Sequence, residues 1–146
     1  MDVAGHSSEF RILAGEAHSA QEAAAALGVG EHQIVKSMVF RGSAADRLVV
    51  VIIGGDRQVD LAVVGKELGE EVRRADPSWV REQTGFAIGG IPPLGHRNSA
   101  TVLIDRSLLT EEILWAGAGT PTAMFRTAGA DLGTITGGTV VDVARR

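Results

Sequence analysis

Apolar residues follow two spacings along this chain, and the spacing assigns the elements. Alternating or continuous apolar runs read as strands, whereas recurrence every three or four residues reads as helix. The longest continuous run lies between Leu48 and Ile53. It is apolar on both faces, so residues 47–53 are expected to form a central strand. Residues 34–41 form a second strand, in which Ile34, Lys36, Met38 and Phe40 share one face. A small polar turn at 42–46 joins the two. Residues 10–13, 72–75, 100–105, 113–116, 122–126 and 139–144 read as further short strands.

Helices are marked by their ends. Ser19-Ala20-Gln21-Glu22 is a capping box, in which the Ser19 hydroxyl accepts from a first-turn amide and Glu22 reaches back. Alanine-rich sequence follows to Leu27, and Gly28 closes the helix. Leu61, Val64 and Leu68 have helical spacing after Asp60, with Gly69 as the stop. Asp76-Pro77 opens another helix, with aspartate as cap and proline in the first turn, ending near Thr84-Gly85. A short helix over 130–136 ends at Gly137-Gly138. Strands and helices do not alternate regularly enough for an all-parallel sheet. The expected fold is α+β: one mixed, strongly curved sheet with packed helices, in a single domain over residues 1–146.

One segment fits neither spacing. Residues 85–96 hold four glycines, the Pro92-Pro93 pair and His96. Glycine adopts backbone angles that other residues avoid, and proline fixes its own angle and lacks an amide donor. The segment therefore reads as a shaped loop whose amides can approach a ligand closely. Gly117-Ala118-Gly119-Thr120-Pro121 is a second loop of the same kind.

Composition narrows the functional classes. The chain has no cysteine, which excludes disulfide scaffolds, thiolate metal sites and thiol nucleophiles. A net charge of -4 removes any broad basic field for coating nucleic acid, leaving a local patch or an end-group as the contact. No apolar run is long enough to span a bilayer, and the first nine residues lack the basic and apolar regions of a signal peptide. A cytoplasmic protein with no membrane partner is expected.

Among individual residues Lys36 stands out. A lysine flanked on its strand face by three large apolar residues needs a partner or an exit to water. It either snorkels from the strand or sits in a pocket mouth, aimed at a phosphate or a developing oxyanion. Asp105 ends a strand, and is either the cap of the next element or an orienting carboxylate. His96 reads as a polar loop residue rather than a general base. The four histidines show no metal-ligand spacing, so no metal and no cofactor is expected. Gly117-Ala118-Gly119 lacks the third glycine of a dinucleotide loop, since Thr122 occupies that place. Neither a Walker sequence nor a G-x-S-x-G elbow is present. Trp79 and Trp115 read as core anchors. Arg73-Arg74 and Arg145-Arg146 read as solvated surface able to touch a nucleic-acid backbone.

Taken in order, several stretches resemble the YbaK/prolyl-tRNA-synthetase-associated editing domain. They are 20–24, 33–40, Gly54-Gly55-Asp56-Arg57-Gln58-Val59-Asp60, 84–86, Gly89 to His96, 102–105 and 117–121. The resemblance spans roughly Ser19 to Arg145. It implies a mixed α/β pseudo-barrel and a trans-acting deacylase that hydrolyses the ester joining a wrong amino acid to the terminal adenosine of a tRNA, often one for proline. It implies a lysine at Lys36 and a G-x-x-x-P loop from Gly89 to Pro93. The catalytic roles then fall to Lys36, Gly89 and Gly90. Substrate contacts fall to Ile91, Pro92, Pro93, His96, Asp105, Gly117, Gly119 and Thr120. The implied partners are the acceptor end of an aminoacyl-tRNA and an aminoacyl-tRNA synthetase. This chain departs from the family in three ways. The helix usually found before the first strand is expected to be shortened or lost. No carboxylate occurs in Met124-Phe125-Arg126, and Thr122 stands where relatives place a histidine.

Overall fold

The computed structural model describes residues 10–13, 15, 19–86, 91–120 and 122–145. Among these, eight strands join one mixed sheet and four α-helices pack on it. The strands are β1 (Phe10–Ile12), β2 (Ile34–Gly42), β3 (Leu48–Gly54), β4 (Val72–Arg74), β5 (Thr101–Asp105), β6 (Leu114–Gly117), β7 (Ala123–Thr127) and β8 (Thr139–Val141). The helices are α1 (Ala20–Leu27), α2 (Leu61–Leu68), α3 (Pro77–Thr84) and α4 (Leu132–Thr136). Strand order is β1-β7-β6-β2-β3-β5-β8, with β4 attached to β2.

β3 is central because nothing in it needs water: all its residues are buried. Each fully buried valine or isoleucine contributes about 1.5–3 kcal/mol. β2 returns beside it through a tight antiparallel turn, where Ala45 and Asp46 take positive φ angles of 56° and 52°. Two successive left-handed residues give such a turn the twist that flanking strands require. The helix ends follow from their side chains. Ser19 Oγ accepts from the Glu22 amide at 3.1 Å, and Asp60 and Asp76 carboxylates cap α2 and α3. Gly28, Gly69 and Gly85 close the three helices in the left-handed conformation.

Side chains of β2 divide between two faces. Ile34 packs with α1, and Phe40 packs with α2. Val35 and Val39 turn the other way, into the cluster that includes Trp79 of α3 and Leu132 and Ile135 of α4. Lys36 and Met38 therefore belong to the α1–α2 face.

β2 also changes partner along one edge. Parallel β6 covers Ile34 and Val35, and antiparallel β4 covers Phe40 to Gly42. Between them, no strand of the described residues pairs with 36–39 on that side. The sheet has a notch there, beside Lys36.

Among the described residues the sheet does not close into the expected pseudo-barrel. The sheet is open, with β1 and β8 at its two ends and no pairing between them. Each is three residues long, and each pairs with one neighbour only. β8 is shorter than its apolar pattern suggests because the chain leaves the sheet at Asp142, and Val143 then bonds to Asp105 and Asp60. Two 3-10 turns, Glu31–Gln33 and Arg106–Thr110, carry no periodic signal and were not anticipated. Residues 1–9 lie outside the described residues, and with them the expectation of a shortened first helix. No helix of the described residues is long and apolar enough to cross a membrane.

Candidate active site

The notch opens into a cleft of about 610 Å³. Lys36, Ile91 and Gly117 all line it, so the β2 lysine meets the described ends of both glycine-proline loops. Ser19 and Ala20, at the start of α1, form part of one wall, and Val80 of α3 forms part of another. Arg74 and Arg145 line the same cleft and add positive charge to it.

Lys36 neither snorkels freely nor forms a salt bridge within the described residues. Its Nζ donates to the main-chain carbonyl of Arg57 at 2.7 Å. Burial pushes its pKa below the ordinary lysine value, and the fields of Asp56 and Glu31 oppose that shift. A carbonyl fixes the ammonium without cancelling its charge. That leaves a directed cation available to an anionic ligand.

The loop side is held differently. Pro92 and Pro93 are buried behind Ile91. His96 is half-buried, and its Nε2–H donates to the Pro92 carbonyl at 2.8 Å. A carbonyl can only accept, so the proton sits on Nε2. Burial lowers the His96 pKa, and the bond to Pro92 opposes the shift. His96 thus staples a five-residue turn that includes Gly95 at φ 79°. At the head of the loop, the buried Thr84 hydroxyl accepts from the Phe86 amide at 3.1 Å. The Phe86 ring then lies over Gly119, whose φ is 102°. A Cβ added there would meet the ring at 3.1 Å. Phe86 therefore joins the first loop to the second.

The remaining predicted positions are less central. Thr120 is exposed and accepts from the Ala123 amide in the turn between β6 and β7. Asp105 is 1% exposed and does not line the cleft. Its side chain caps no backbone amide of the adjoining 3-10 turn. Instead it accepts from Arg57 Nη1 at 3.1 Å, from Ser107 Oγ and from the Val143 amide at 3.3 Å. Gly89 and Gly90 lie outside the described residues, as do His6, His18 and Pro121. Among the described residues, no three His, Cys, Asp or Glu side chains are grouped to hold a metal.

No side-chain pattern in the sequence singles out Arg57, yet its carbonyl is the partner of Lys36. The signal was available only as the Gly54-Gly55-Asp56-Arg57 stretch, where two glycines let a turn pass close to α1 and Ile34. A Cβ on Gly55 would lie 2.6 Å from Ala20 Cβ. Of the two tryptophans, Trp115 is buried and Trp79 is half-buried. Arg11 lies 5.0 Å from the Trp115 ring centroid, and Arg41 lies 4.9 Å from that of Trp79.

Residues 14–135 match the family model of the aminoacyl-tRNA editing domain. The chain is 32% identical over 99 residues to the uncharacterized protein YwhH of Bacillus subtilis, covering 68% of this chain and 62% of that protein. It is 33% identical over 96 residues to the proline–tRNA ligase of Limosilactobacillus fermentum, covering 63% of this chain and 17% of the ligase. The chain thus spans under two thirds of YwhH and about a sixth of the ligase. Among solved structures, a protein described as a candidate trans-editing enzyme for prolyl tRNA synthetase superposes with a TM-score of 0.89 at 38% identity. That match covers 97% of this chain and 88% of the other.

Proposed function

We propose a function from one premise: this chain belongs to the aminoacyl-tRNA editing domain family. It is a trans-acting deacylase that hydrolyses the ester between a wrong amino acid and the terminal adenosine of a tRNA. The observation carrying this reading is that Lys36, Ile91 and Gly117 line one cleft. An aminoacyl ester is already activated, so no strong nucleophile is required. Hydrolysis needs a held carbonyl, donors for the oxyanion and a placed water. Lys36 holds the terminal phosphate or offsets developing negative charge. Amides of Gly89, Gly90, Gly117 and Gly119 are assigned to the oxyanion, the Ala118 amide being held by the Ala123 carbonyl at 2.9 Å, and Ile91 and Val80 bound the space for the amino-acid side chain. The substrate's own ribose hydroxyl helps position the water.

The likeness to proline–tRNA ligases makes tRNA for proline the first substrate to test, and a synthetase the first partner. The net charge of -4 suits contact with the acceptor end alone. The decisive assay is release of amino acid from a panel of mischarged tRNAs by the purified protein and by Lys36→Ala. Release from one or more tRNAs, abolished by the substitution, supports hydrolysis. Binding without release from any member would replace the enzyme with a tRNA- or synthetase-binding module.

A further inference from the structure

We infer that Arg57 and the buried Asp105 are positioning residues that aim Lys36 into the cleft. The inference rests on the deacylase reading for its kinetic consequence, but not for its geometry. Lys36 Nζ is fixed by the Arg57 carbonyl, so the place of that carbonyl sets the place of the charge. The carbonyl belongs to a turn between β3 and α2, whose start is tied to β2 by the Gly55 amide donating to the Ile34 carbonyl at 2.7 Å. Within it, the Arg57 amide bonds to the Gly54 carbonyl at 3.1 Å.

At Arg57 itself the turn is held by Asp105. Its Oδ2 accepts from Arg57 Nη1 and from Ser107 Oγ, and its Oδ1 accepts from the Val143 amide. Val143 in turn accepts from the Asp60 amide at 2.7 Å, and the Arg145 amide donates to the Gln58 carbonyl at 2.7 Å. The carboxylate thus ties the 57–60 segment and the 143–145 segment to the end of β5. A carboxylate that is 1% exposed is costly to bury unless several donors meet it, and three do. The charges are also apportioned in a useful way. Asp105 offsets Arg57, so Lys36 keeps its own charge for a ligand. Asp105 itself is too enclosed to touch substrate.

The test exploits a property of the sequence: Lys36 and Lys66 are its only lysines. Protein labelled with [15N]lysine is observed by ammonium 15N–1H correlation spectroscopy. A carbonyl-held ammonium exchanges its protons slowly enough to give a sharp signal, and the exposed Lys66 serves as the internal contrast. The expected signal survives Lys66→Arg and vanishes in Lys36→Arg. It broadens or vanishes in Asp105→Asn and in Arg57→Gln, while the fold is retained. On a tRNA that the protein deacylates, both variants lower kcat/KM by about ten- to a hundredfold. The double variant is no worse than either alone.

An unchanged Lys36 signal in Arg57→Gln overturns the inference, as does the absence of any Lys36 signal in the native protein. A raised KM with the Lys36 signal intact also overturns it, because Arg57 would then be touching substrate itself. If Asp105→Asn does not fold, Arg57→Gln, altered at a half-exposed side chain, carries the test alone. The spectroscopic arm needs no substrate, so it remains decisive even where the tRNA panel shows no hydrolysis.

Discussion

The two sides of the cleft are held by different physics. On the β2 side a buried carboxylate, a guanidinium and a main-chain carbonyl fix one ammonium. On the loop side the fixing is neutral: two prolines, a histidine-to-carbonyl bond and an aromatic ring over a glycine. Charge is supplied by one side and backbone shape by the other. The contrast would serve the proposed ester hydrolysis, where a cation meets negative charge while rigid donors meet a carbonyl oxygen. It also implies that the two sides fail differently when altered.

The largest effect is expected on the charged side. Lys36→Ala removes the directed cation and should lower deacylation by about a hundredfold or more, read as single-turnover release of amino acid. Because losing a half-buried charge offsets losing the bond to the Arg57 carbonyl, thermal stability should change little. A large loss of stability would mean that Lys36 serves the fold instead.

Next comes the junction of the two loops. Gly119→Ala places a side chain at φ 102° and 3.1 Å from the Phe86 ring. The strain should cost about 1–3 kcal/mol of stability and lower activity at the same time. Gly119→Ala combined with Phe86→Leu should recover part of the loss, since the clash is relieved while the φ strain remains. No recovery would break the link between the loops.

His96→Ala leaves the Pro92 carbonyl without its donor and should cost about 1 kcal/mol. The charge of Lys36 is untouched, so the loss should appear as altered turnover with the Lys36 signal intact. Changes on both sides of the cleft would blur the comparison.

The smallest effect is a pH dependence. Burial holds the His96 pKa below the unfolded value of about 6.5, so the unfolded chain takes up a proton first as pH falls. Stability should therefore be unaffected by His96 above about pH 7, and should fall progressively as pH drops through 6.5 toward the lowered folded value. His96→Gln should remove that part of the slope in melting temperature against pH. A slope unchanged by the substitution would assign it to other groups.

Much of the fold was legible because its signals are local. Capping residues at Ser19, Asp60 and Asp76, and glycines at Gly28, Gly69 and Gly85, set helix ends that the structure reproduces. The run from Leu48 to Ile53 could only be a buried strand. Open sheet edges were not legible, because closure depends on how short end strands meet in space. For the cleft, Lys36 announced itself by sitting among apolar neighbours. The loops did so through glycine and proline. Arg57 gave no such sign, because its contribution to Lys36 is a main-chain carbonyl that any residue carries. Asp105 looked like a strand-end cap, and only the tertiary path of 57–60 and 143–145 around it reveals what it binds. Arg74 and Arg145 looked like solvated surface; β4 carries Arg74 to the cleft, and the bond of the Arg145 amide to the Gln58 carbonyl carries Arg145 there.

If the cleft works as one site, a single ligand engages both of its sides at once. Titration with a non-hydrolysable 3′-aminoacylamino-adenosine 5′-phosphate, followed by NMR, tests it most directly. The Lys36 ammonium and the amides of Ile91 and of 117–119 should shift together, with a single dissociation constant that Lys36→Ala weakens. Saturable shifts confined to one side, or to neither, would contradict it.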